Sequence, residues 1–113
     1  MTDYVIAEGT TDGVHWIKFT NGNAILWFTQ TKTLDISNSY SASTYISTAT
    51  NTKALPFVVS SAVVTDATES WGALSLVTCV IDSGATISWR AVGADKIESL
   101  PVKGNFVVTG KWK

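Results

Sequence analysis

Asp12–Phe28 reads DGVHWIKFTNGNAILWF, two aromatic-rich runs on either side of Asn21-Gly22. A type I′ hairpin turn needs positive φ at both central residues, and Asn followed by Gly tolerates that best. With a two-residue loop, Thr20 pairs with Asn23, Phe19 with Ala24, Lys18 with Ile25, Ile17 with Leu26 and Trp16 with Trp27. Side chains alternate between faces along a strand. One face then collects Ile17, Phe19, Ala24, Leu26 and Phe28, with His15 at its end. The other collects Val14, Trp16, Ile25 and Trp27, with Lys18, Thr20 and Asn23 nearer the turn. Both faces are apolar away from the turn, which a sheet with one wet face does not allow. The hairpin is expected to be covered on both sides, with a second subunit as the outer cover.

The flanks read as strands and turns. Asp3–Glu8 is a first short strand, ended by Gly9–Gly13, and the second hairpin strand runs from about Asn23 to Lys32. Thr33–Thr52 is rich in Ser, Thr and Asn, and is expected to be a long surface connection with at most one short strand. Leu55–Val59 is an apolar run with Pro56 near its start, where a strand tolerates proline, and Ser60-Ser61 breaks it. Asp66–Ser70 reads as a loop, and Trp71–Ile81 as a strand buried on both faces. Asp82-Ser83-Gly84 makes a turn. In Ala85–Gly93, Ile87, Trp89 and Ala91 alternate with Thr86, Ser88 and Arg90. Ala94–Gly104 reads as a polar insertion, and Asn105–Trp112 as a last strand. No segment keeps a helical period and no internal repeat is visible. The expected fold is all-β, a single-domain antiparallel sandwich.

At 113 residues the chain is one domain with room for a core. A formal net charge of -1 gives no reason to expect nucleic acid or an anionic membrane as partner. Charged residues make up 15%, below the ~25% of average proteins, and Ser, Thr and five Trp stand in their place. That balance suits a β-rich protein packing against copies of itself. No run is long and apolar enough to span a membrane, and no secretory signal is visible. Cys79, the single cysteine, lies in an apolar run and reads as a buried thiol.

Chemistry is sparse. One histidine, His15, is too few for a His-based metal site and reads as a packed, hydrogen-bonded residue. In a trimer, three copies could instead meet on the axis and hold an ion. Asp66 and Glu69 are close enough in sequence to form a carboxylate pair, or to be ordinary loop charges. No nucleophile-elbow, P-loop, zinc or EF-hand pattern occurs, so no reaction and no cofactor is expected. Binding is easier to support. Sugars are held by flat aromatic faces together with Asp, Asn, Ser and Thr hydrogen bonds. Trp71, with Asp66, Glu69 and Ser70, meets that description in one loop, and Tyr40 and Tyr45 meet it in the Ser/Thr-rich connection. Trp71 equally reads as the start of a buried strand, and the two tyrosines as pins that hold a long loop. Trp16, Trp27 and Trp89 read as core or interface.

The order of features resembles a known family. Gly13, Trp16, Lys18, Phe19, Asn21, Gly22 and Trp27 come first, followed by Leu55-Pro56-Phe57-Val58-Val59. Trp89-Arg90-Ala91-Val92-Gly93 and a terminal Gly110-Lys111-Trp112-Lys113 complete the series. The chain thereby resembles, over nearly its whole length, the C-terminal tip domains of bacteriophage tail fibres, which are similar in fold to the H-type lectins of invertebrates. The resemblance implies a homotrimeric antiparallel β-sandwich at the end of a fibre on the virion, binding host cell-surface polysaccharide. Two segments depart from the pattern, Thr33–Thr52 and Ala94–Gly104, so no binding residue transfers by motif. A free-standing lectin, a carbohydrate-binding module and a purely structural trimer-closing tip are the competing readings.

Overall fold

The computed structural model describes residues 4–70 and 74–113. Nine strands follow in chain order: β1 Val5–Thr11, β2 Val14–Phe19, β3 Asn23–Ser41, β4 Thr44–Ser47, β5 Asn51–Ala54, β6 Ser60–Glu69, β7 Ser75–Ile81, β8 Thr86–Gly93 and β9 Ile97–Lys111. A short 3-10 turn at Asp82–Gly84 is the one helical piece among the described residues. All strand pairs are antiparallel and join into one sheet. β3 and β9 form its spine, in register from Asn23↔Lys111 to Ile36↔Ile97 with one bulge near Asp35. β2 and then β1 extend the sheet from one edge of β3, while β6 extends it from the far edge of β9. Further along β3, β4 pairs back and carries the ladder to β8, which holds β5 and β7. The sheet curls so that β8 packs over the inner face of β3 and β9, in a body of 51 × 22 × 21 Å.

The curl encloses the core. Leu26, Phe28, Phe106 and Val108 from the spine meet Ile87, Trp89 and Ala91 from β8. Phe106 stacks on Phe28 with centroids 5.0 Å apart and lies 5.3 Å from the Trp89 ring. The Trp89 indole Nε1 donates to Gln30 Oε1 at 2.7 Å, and Gln30 Nε2 donates to the Thr52 carbonyl at 3.1 Å. Buried polar groups need partners, and Gln30 supplies one while tying β3 to β5. The expected alternation of Ile87, Trp89 and Ala91 is present as the inner face of β8.

The central hairpin departs from the two-residue reading. His15 pairs with Trp27, Trp16 with Leu26, Ile17 with Ile25 and Lys18 with Ala24, one residue away from the register the Asn-Gly signal implies. The loop has three residues, Thr20-Asn21-Gly22. Gly22 N–H donates to the Phe19 carbonyl at 3.1 Å, and Gly22 alone of the three has positive φ, +91°. Asn21 Oδ1 accepts from the Asn23 N–H at 2.9 Å. This is a type I turn closed by a glycine bulge. The two-residue loop with positive φ at both positions occurs instead at Asp12 (+49°) and Gly13 (+80°), where Thr11 pairs with Val14. A one-residue slip exchanges the faces of one strand relative to the other. Val14, Trp16 and Lys18 therefore share the inner face with Ala24, Leu26 and Phe28, while His15, Ile17 and Phe19 join Ile25 and Trp27 outside.

Other expectations also change. Thr33–Thr52 is mostly strand, because β3 continues to Ser41 and β4 and β5 follow. Its sparse apolar residues Leu34, Ile36 and Ile46 are enough to line one buried face. Ala94–Gly104 is largely the first half of β9, with Val102 buried, and not an insertion. Asp66–Glu69 belongs to β6, not to a loop. Leu55–Val59 is not a strand. It crosses the end of the curl, its Leu55 and Val59 N–H groups donating to the carbonyls of Ala85 (2.8 Å) and Gly84 (3.0 Å). There Phe57 meets Trp16 edge-on at 5.6 Å. β7 alternates exposed and half-buried positions and so has one open face, on which Cys79 is exposed rather than buried.

Candidate functional site

The residues singled out for binding do not converge. Asp66 is exposed on the outer face of β6, and Glu69 points the other way and is buried, at 8% exposure. The two carboxylates thus lie on opposite faces of one strand and form no pair. Trp71 lies outside the described residues. Tyr40 is the bulged residue between the pairs Ser39↔Tyr45 and Ser41↔Thr44, and is exposed. Tyr45 is half-buried on β4 with the Lys96 ammonium 5.7 Å from its ring centroid. Both tyrosines sit at the far tip of the β3–β4 hairpin, away from Asp66.

A different set converges on the outer face of the sheet. Pairing places Thr10 of β1, His15 of β2, Trp27 of β3, Val107 of β9 and Asp66 of β6 in one row across five strands. Trp27 is 37% exposed, although large aromatics are normally covered. Its indole stacks on the His15 imidazole, with centroids 5.5 Å apart and planes within 18°. His15 Nδ1 shares a 2.8 Å hydrogen bond with Thr10 Oγ1, which fixes the ring against Trp27. Glu8, one row away on β1, lines the same shallow groove, about 340 Å³ in volume. The sequence places His15 at the end of an apolar face as a packed, hydrogen-bonded residue; the hydrogen bond is present, to Thr10. The register shift brings the ring to the surface instead, paired with an aromatic partner.

Local sequence explains how this face is ordered. The Asp12-Gly13 turn fixes β1 against β2, and the Gly22 bulge fixes β2 against β3. Gly9 is required beside Trp16, because a Cβ there would lie 2.9 Å from Trp16 Cζ2. Trp16 is held inward over β1, and its Nε1 donates to Thr11 Oγ1 at 3.3 Å. The exposed pair therefore stands on a packed ladder. The arrangement offers a stacked pair of near-parallel aromatic rings, a hydroxyl and two carboxylates on an open surface. Chemically that is a stacking platform with hydrogen-bonding groups around it. Among the described residues no group of three His, Cys, Asp or Glu side chains gathers to hold a metal ion.

Sequence reasoning passed over Trp27 and His15 because the assumed register set Trp27 against Trp16. No local signal separates a three-residue loop from a two-residue one at Asn21-Gly22, since the Asp12-Gly13 turn sets only β1 against β2. No protein family, no curated protein and no solved structure matches the chain.

Proposed function

We propose that this chain is the receptor-binding tip domain of a bacteriophage tail fibre, or of a related prophage-derived particle. In this reading it is a sandwich-like homotrimer on the virion that recognises host cell-surface polysaccharide without cleaving it. The resemblance of the tryptophan and turn framework motivates the family. The observation that carries binding is the exposed Trp27–His15 stack, held at 5.5 Å on the sheet with Thr10 and Glu8 beside it. An aromatic plane meets the C–H face of a pyranose, and the surrounding hydroxyl and carboxylates take its hydroxyls. Catalysis has no support of this kind, since Asp66 and Glu69 lie on opposite faces and a glycosidase needs two carboxyls flanking one bond.

Self-association draws on the other end of the same layer. Tyr4, Val5 and Ile6 are consecutive and exposed by 61%, 43% and 48%, so neither side of this segment is covered within the chain. Val5 pairs with Phe19, and Phe19 and Ile25 line an apolar groove of about 470 Å³ near the hairpin turn. Burying side chains of this size is worth roughly 1.5–3 kcal/mol each. Subunits meeting there would leave the Trp27 end open for glycan. Screening the purified chain and its Trp27→Ala variant against bacterial surface glycans tests the reading. Binding that disappears with Trp27 supports it, and binding unaffected by that change refutes it.

A further inference from the structure

We propose that the Trp27 groove selects glycans carrying free, protonated amino groups over N-acetylated or anionic ones; this rests on the glycan-binding reading above. The warrant is the charge around the platform. Asp66 lies in the Trp27 row two strands away through Val107, about 10 Å at ordinary strand spacing. On the opposite side Glu8 lines the groove itself. His15, and Asp12 at the adjoining turn, are further titratable groups in that neighbourhood.

The cations are directed elsewhere. Lys18 is turned inward, its Nζ 4.4 Å from the Phe57 ring centroid and 5.2 Å from that of Trp16. Lys53 Nζ donates to the Asp12 carbonyl at 2.6 Å, and Arg90 Nε donates to the Ser47 carbonyl at 3.1 Å. Lys103 and Lys111 share the outer face of β9, but each is four residues along from Val107, about 13 Å in a strand. That distance exceeds a Debye length at physiological salt. A ring stacked on Trp27 therefore lies between the carboxylates of Glu8 and Asp66, while Lys53 stands at the Asp12-Gly13 turn beside a third carboxylate, that of Asp12. An ammonium group there also gains from the faces of the indole, whereas a uronate would meet like charge.

The test is calorimetric titration of the full chain at pH 6.5 and physiological salt, where part of a sugar amine is protonated and the β9 lysines are screened. The probes are oligomers of β-linked glucosamine, the same oligomers N-acetylated, and oligogalacturonate. The amino oligomers should bind at least about fivefold more tightly than the acetylated ones, with oligogalacturonate weakest. Asp66→Asn and Glu8→Gln should each narrow the gap by weakening the amino oligomers more than the acetylated ones, and raising the salt should narrow it further. Equal affinity for amino and acetylated forms, or preference for the uronate, overturns the proposed selectivity while leaving glycan binding intact. If none of the three probes binds while a bacterial surface glycan does, the selectivity fails and the glycan reading stands; no binding to either set removes both.

Discussion

His15 and Trp27 face each other across β2 and β3 and stack with centroids 5.5 Å apart, on the outside of the sheet. This relationship follows from where one extra loop residue is placed. In the two-residue register Trp27 would oppose Trp16, and the hairpin would look like an interface on both faces. In the observed register Trp16 turns in and Trp27 turns out, and one face becomes core while the other carries a platform.

The turn itself can be tested. Gly22 has φ +91°, and a Cβ there would sit 3.3 Å from the Lys113 carbonyl oxygen, whereas Asn21 is not in the left-handed region. Gly22→Ala should cost about 1–2 kcal/mol in urea unfolding, and Asn21→Ala clearly less, about the worth of one hydrogen bond. Equal losses would indicate a two-residue turn with both residues at positive φ.

The inward lysine makes a second test. Lys18 Nζ lies 4.4 to 5.2 Å from the ring centroids of Phe57, Trp112 and Trp16, and the Trp112 indole Nε1 donates to the Phe19 carbonyl at 3.0 Å. The lysine and three aromatics thereby close the turn end of the core. Lys18→Met keeps the apolar stem and removes the cation, and should lower stability by about 0.5–2 kcal/mol. An unchanged urea midpoint would mean that the ammonium adds nothing beyond its stem.

Gln30 offers a third. Its side chain accepts from the buried Trp89 indole and donates to Thr52, so Gln30→Ala leaves a buried donor without its acceptor. The expected loss is about 1–3 kcal/mol. Trp89→Phe combined with Gln30→Leu should recover part of it, because both polar groups are then removed together.

Assembly is a separate matter. Light scattering at micromolar concentration should report three chains. Replacing Tyr4, Val5 and Ile6 with Ser should yield a folded monomer with an unchanged far-ultraviolet spectrum. A wild-type monomer would contradict the proposed trimer, and a dimer would count against the tail-fibre assignment.

The all-β class of fold was legible in the sequence, and so was the alternation along β8, although Trp71–Ile81 was the run that read as buried on both faces. Ile87, Trp89 and Ala91 alternate cleanly and are the inner face of β8. The long arms were not legible. Thr33–Ser41 and Ile97–Gly104 read as connection and insertion because their outer positions are Ser, Thr, Asn, Lys and Glu, while buried residues such as Leu34, Ile36 and Val102 are too few to mark a period alone. Each strand is defined by the other, at a sequence separation no local pattern reaches. Leu55–Val59 misled in the opposite direction, since an apolar run can close the end of a core without joining a ladder. Asp66 was found as a candidate, but for a loop. Its place in the Trp27 row depends on β9 lying between β3 and β6.

The most direct measurement compares glycan binding and host-cell adsorption for the wild type, Trp27→Ala and Trp89→Phe. Trp27→Ala should stay folded, with less than ~1 kcal/mol lost. It should weaken each site about tenfold, a deficit that multivalent attachment would enlarge. Trp89→Phe should lower the melting temperature yet bind normally while folded. If Trp27→Ala adsorbs as well as the wild type, the outer-face platform is not the receptor site and the central claim is wrong.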